Sequence, residues 1–252
     1  MNAGERQYAA ILEGDPEDLK DLRLDYAGSG PIRVTEIEVG GKRFTALLAD
    51  EFSAQASSAG ALNVAREIVA QINGLRLVAR TDRRPVRPTI MHDRLDVGEW
   101  SVGTNHASGA LEVGPVQIRA TATVTGVDGT PIPESARPAW PAKWLAFARS
   151  GTPDGKRAAD ILSALSGNPD WADLWRAQEM FHHDRRQLPD WNDGDSERFR
   201  QSATLHRHSH NSRNGKDARE WFALTLEPKM DINTARQVVS RGAKLWLAWK
   251  VQ

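Results

Sequence analysis

Cysteine is absent from this 252-residue chain. That excludes disulfides, thiolate metal sites and a thiol nucleophile, so any metal ion would have to be held by His, Asp or Glu. Net charge is missing as well: 33 Lys and Arg balance 33 Asp and Glu. No global field draws nucleic acid or an anionic membrane to the chain, and any such attraction must come from local patches. No run approaches the roughly 18 apolar residues of a membrane span. The opening Met1-Asn2-Ala3-Gly4-Glu5-Arg6-Gln7 has no apolar leader core, so the expectation is a cytoplasmic protein without membrane contact. Two familiar loops are lacking too. Gly40-Gly41 has neither the Gly-x-Gly-x-x-Gly spacing nor the helix start of a nucleotide-binding loop, and no Gly-x-Ser-x-Gly elbow supplies a nucleophile.

What is present divides into two halves. With 40% hydrophobic and 26% charged residues the chain has an ordinary globular composition. Its first half carries the period-two pattern of strands. Residues 34–39 and 42–49 flank Gly40-Gly41 and predict a β-hairpin, because paired glycines accept the positive φ of a tight turn. From Ala59 to Ile72 the apolar residues Leu62, Ala65, Ile68, Val69 and Ile72 fall on one helical face, with Asn73-Gly74 as the expected stop. A short strand is then expected over 75–79, a basic proline-broken loop over 81–88, and strands over 94–102, 111–113 and 116–127. His92-Asp93 reads as a turn beside a strand and not as a catalytic dyad.

Three prolines in 131–138 mark a change of character. Beyond them helical periodicity predicts helices over 140–149, 158–165, 171–186, 197–210 and 232–250, with Asn168 or Asp170 capping the third and Asp231 the last. The expected fold is α+β: an antiparallel-sheet domain over 1–137 and an all-helical domain over 138–252. Eight of the nine tryptophans lie in the helical half, where packing is the first use of so large an apolar ring.

Candidate chemistry gathers in the same half. The segment from Arg198 to Asn211 holds Arg198, Arg200 and Arg207 with His206, His208 and His210. If it is helical, His206 and His210 stand four residues apart and could chelate one ion, with Glu179 or His183 as third ligand. The carboxylate of a His-Glu-x-x-His pair is absent, however, and Arg207 would repel a cation. Glu179 and His182 form a Glu-x-x-His unit, but the second copy that a carboxylate-bridged di-iron bundle needs is missing. No cofactor is expected. Between Arg198 and Arg219 six basic residues face one acidic residue, Asp217, a composition that attracts phosphate. Three readings stay open for this segment: a phosphate site, a metal site, and a solvated helix end whose basic residues suit the helix dipole.

Five residues separate Arg200 from His206, with Glu179 on an earlier helix and a long amphipathic helix after Pro228. In this layout, over about the last 80 residues, the chain resembles the HEPN family of helical domains. The chain also resembles a group of bacterial proteins whose helical half carries a Trp-x-Asp-Leu-aromatic start followed by Glu, here Trp171 to Glu179; that likeness implies no activity. The HEPN likeness implies a metal-independent endoribonuclease or RNA-contacting protein. His206 would be the general base on a ribose 2′-hydroxyl and Arg200 the neutraliser of phosphate charge, with His210 and Glu179 completing the site. It also implies a homo-oligomer, since such sites are commonly composite. A non-catalytic protein that oligomerises through its tryptophan-rich half is the alternative.

Overall fold

A computed structural model describes residues 6–27, 30–79, 84–95, 101–102, 140–209 and 230–252. Strands β1 (Arg6–Glu13), β2 (Ile32–Val39), β3 (Lys42–Ala49), β4 (Arg87–Leu95) and the two-residue β5 (Ser101–Val102) form one antiparallel sheet in the order β2-β3-β1-β4-β5. The expected hairpin forms between β2 and β3, in register from Ile32 opposite Ala49 to Val39 opposite Lys42. Its turn places Gly40 and Gly41 at φ of 56° and 75°, where a side chain would be strained.

The central strand, β1, is not announced by alternation. Tyr8, Ala9, Ala10, Ile11 and Leu12 are all buried, because a strand covered on both faces reads as a continuous apolar run. Helix α1 (Pro16–Asp25) follows, with Asp15 accepting from the Glu17 amide and Pro16 in the first turn.

Helix α2 corrects the sequence reading. It runs from Ser58 to Ala79, straight through Asn73-Gly74 and through the segment expected as a strand. Gly74 is not a stop but a crossing point: a Cβ there would sit on the Leu162 carbonyl. Asn73 faces Val86, just ahead of β4, instead of ending the helix, its side-chain amide donating to the Val86 carbonyl at 2.9 Å and accepting from the Val86 amide at 3.0 Å. The strand expected from 94 begins earlier, at Arg87. His92-Asp93 is therefore strand, not turn, and the buried His92 ring stacks on Phe44.

Among the described residues the helical half contains α3 (Trp140–Ala148), α4 (Pro153–Ala164), α5 (Trp171–His182), α6 (Asp193–Ser209) and α7 (Ile232–Lys250). Helix α4 starts at Pro153, earlier than its apolar pattern suggests, because Thr152 caps it. The third expected helix ends at His182, and a 3-10 turn at Arg185–Gln187 follows. One buried apolar cluster passes from Leu12, Leu47 and Met91 through Ile68, Ile72 and Leu75 of α2 to Leu162, Phe181, Trp246 and Leu247. A smaller cluster of Ala9, Ile11, Ile37 and Ala46 occupies the other face of the sheet. The expected strands at 111–113 and 116–127 and the boundary at 137 lie outside the described residues. Among the described residues, no helix is long and apolar enough to cross a membrane.

Candidate functional site

Helix α5 begins with a capping box. Asp170 accepts from the amides of Ala172 and Asp173 at 2.8 and 2.9 Å, and the Asp173 carboxylate accepts from the Asp170 amide. Four residues of the next turns, Leu174, Ala177, Gln178 and Phe181, are buried. The buried Gln178 amide donates to Ser196 Oγ of α6 at 2.9 Å, which fixes the height of one helix against the other. Phe199 and Ala203 bring the apolar face of α6 into the same seam, and Trp171 stacks on Phe199 with centroids 6.1 Å apart.

This seam places Arg200 of α6 against His182 and Trp175 of α5. Arg200 Nη1 donates to His182 Nε2 at 2.9 Å, and its guanidinium lies 5.6 Å from the centre of the Trp175 ring. Because a guanidinium only donates, His182 Nε2 must accept, and the imidazole is the neutral tautomer protonated on Nδ1. Burial lowers the His182 pKa below its ordinary value; the Arg185 and Arg200 charges lower it further, and Glu179 opposes them. Nδ1 itself is buried and has no hydrogen-bond partner among the described residues. The ring is held edge-on by Trp191, 6.3 Å away, which also packs on Phe181. Trp191 reaches that position through a tight turn in which Asp190 adopts a φ of 59°, and its indole N–H then donates to Asp193 at 3.1 Å.

Along α5, Trp171, Trp175, Arg176, Glu179 and Met180 line a groove of about 560 Å³, with the two tryptophans and Met180 also packed against the core. Glu179 is exposed. Among the described residues its carboxylate has no hydrogen bond or ion pair.

Of the four sequence-selected residues, Arg200 on α6 and Glu179 on α5 lie on neighbouring helices and both act on the charge of His182, but among the described residues no hydrogen bond or ion pair joins them to each other. His206 lies within α6, about 9 Å along the axis and some 240° round it from Arg200, so the two do not share a helical face; its side chain lies outside the described residues. His210 lies outside them altogether. The residues that sequence reasoning left out of the site are His182 and Trp175. A signal for them existed, since they sit seven residues apart on one face of α5, but nothing in the pattern of α5 says that Arg200 comes over that face. Among the described residues, no three His, Asp or Glu side chains gather as a metal site would require.

No protein-family model, curated protein or solved structure matches the chain.

Proposed function

We propose that the α5–α6 face contacts RNA, and that the chain is a metal-independent endoribonuclease of the HEPN kind acting as a homo-oligomer. The observation that carries the proposal is the setting of Arg200: a half-buried guanidinium whose described partners are a neutral ring nitrogen and an aromatic face. Among the described residues one of its five N–H groups is used, on His182, and a guanidinium so placed has further N–H groups with which to take a phosphate bidentately. His182 in this reading orients the guanidinium. His206 does not share a helical face with Arg200, so in the proposed homo-oligomer a second copy of the chain supplies it: His206 takes the proton of a ribose 2′-hydroxyl as its oxygen attacks phosphorus, and His210 returns a proton to the departing 5′-oxygen. The products are a 2′,3′-cyclic phosphate and a 5′-hydroxyl.

The test is cleavage of an end-labelled single-stranded RNA in excess chelator. Cyclic-phosphate product is expected from the native chain, with Arg200→Ala and His206→Ala each slowing the reaction by about 100-fold or more. Undiminished cleavage by His206→Ala overturns the assignment of the base, and no cleavage by any preparation overturns the enzyme.

A second reading has its own observation. The Arg200 to His182 and Gln178 to Ser196 bonds both join α5 to α6, as a purely structural brace would. In that case Arg200→Ala lowers stability and leaves RNA binding unchanged.

A further inference from the structure

The contact between Arg200 and His182 cannot survive a proton. Arg200 Nη1 donates to the lone pair on His182 Nε2 at 2.9 Å, and that lone pair is the place a proton would take. Once protonated, the pair would be two donors on two cations facing each other. An anion against both removes the conflict, because nitrogens this close can each meet a different oxygen of one phosphate.

The surroundings of the ring pull in both directions. Burial comes first in holding it neutral, followed by the charges of Arg185 in the 3-10 turn and Arg200 on α6, with His183 in the same sense. Glu179, one turn earlier on α5, favours the cation, and His182 is the last residue of that helix, where the dipole does the same. Asp193 of α6 lies 3.8 Å from Arg185 and offsets part of its charge. Helix α7 meets this corner through Gly242, against Phe181 and Trp191, while Arg241 and Lys244 beside it are exposed. A phosphate on Arg200 would therefore cancel one of the charges that oppose protonation.

We infer that Arg200 and His182 form a proton-coupled phosphate clamp, in which binding of the RNA backbone brings one proton from solvent onto His182 Nε2 and makes that nitrogen a second donor to the phosphate. The inference rests on the RNA reading above and adds the regulation of its site. No covalent bond between heavy atoms changes. Arg200 Nη1 exchanges its imidazole acceptor for a phosphate oxygen, and the imidazole gains the proton. Without RNA, His182 holds the guanidinium in place; with RNA, it shares the anion. Whichever state holds more protons is favoured as pH falls, so binding strengthens in acid.

The experiment measures fluorescence anisotropy of the full chain, in chelator, with a labelled 2′-O-methyl uridine heptamer, which cannot be cleaved and does not itself titrate in mild acid. His182→Gln, with its thermal midpoint checked, keeps an acceptor for Arg200 and loses the proton. The ratio of native to His182→Gln affinity is expected to rise about threefold to tenfold between about pH 7.5 and 5.5, since one proton supplies at most about tenfold per pH unit. Taking the ratio removes the response of the other histidines, which both proteins share. The His182 ring, followed by NMR in the native chain, is expected to titrate at higher pH with the heptamer bound than without it. A ratio that is flat in pH, or a ring that titrates alike with and without RNA, overturns the clamp and leaves the RNA reading standing. No binding at any pH overturns both.

Discussion

Two arginines sit in helix seams at opposite ends of the chain, and they are held in different ways. Arg76 of α2 is buried, bonded through Nη2 to the equally buried Asp18 of α1, and its Nη1 donates to the Arg84 carbonyl at 2.8 Å. Tyr26 lies beside this pair, its hydroxyl pushed above its usual range by burial and by Asp25, with Arg76 opposing. Arg200 of α6 is only half buried, and its described partners are an uncharged imidazole and a tryptophan face. A guanidinium matched by a carboxylate in the interior is an architectural pair. One met by neutral groups at a groove keeps the capacity to bind an anion. Burial and partner type, more than the residue itself, separate a brace from a candidate site.

The largest effect should come from breaking the first seam. Arg76→Ala takes the Nη2 partner away from the buried Asp18 carboxylate, and the expected loss is about 3–5 kcal/mol in urea unfolding. Replacing both partners, as in Asp18→Leu with Arg76→Met, should lose much less, because the desolvated charges go together. If the double replacement is as damaging as the single one, the pair matters for its hydrogen bonds to backbone and not as a charge pair.

Gly74→Ala ranks next. Its new methyl group would meet the Leu162 carbonyl where α2 crosses α4, and overpacking of this kind costs about 1–3 kcal/mol. Calorimetry should show one lowered transition if α2 couples the sheet to the helices. Loss of a separate, earlier transition would show instead that the two halves unfold independently.

Gly74 also shows where the sequence stops being readable. Asn-Gly after an amphipathic run has the local signature of a helix end, and only the approach of a second helix reveals a crossing. The Gly40-Gly41 hairpin was legible because turn and strands are adjacent in sequence, and Asp170 and Asp231 were legible as caps because a cap acts on its own first turn. The central β1 was not, since burial on both faces erases the alternation that identifies strands. The candidate site follows the same rule. Arg200 and Glu179 could be selected from charge and spacing, but Arg200 meets His182, 18 positions away in sequence, and the sequence reading paired it instead with the nearest imidazole in its own segment, His206.

Arg200→Ala tests the second seam and should be milder for the fold. It removes one hydrogen bond and one cation–π contact at a half-buried position, so a loss of about 1 kcal/mol is expected in the same unfolding assay. Binding of the uridine heptamer should meanwhile weaken about tenfold or more, as expected for a charge-assisted phosphate contact. A loss as large as that of Arg76→Ala, with RNA binding intact, would make the two arginines equivalent braces.

The smallest effect, and the one that separates the seams by pH, belongs to His182. In the folded chain its pKa is lowered by burial first and then by Arg185 and Arg200. The unfolded imidazole, near 6.5, binds a proton before the folded one does. Wherever the unfolded state holds more protons, stability rises with pH. This contribution is therefore fully present above about pH 6.5 and is lost as pH falls from there toward the folded value, with a slope of less than one proton. His182→Gln keeps a side chain that can accept from Arg200 and removes the titration. The difference in unfolding free energy between native and His182→Gln protein should be flat above pH 7 and should decline between pH 6.5 and 5. A decline in the opposite direction would mean that the imidazole is charged in the fold. The guanidinium would then be facing a cation, and the neutral partner that distinguishes Arg200 from Arg76 would be lost.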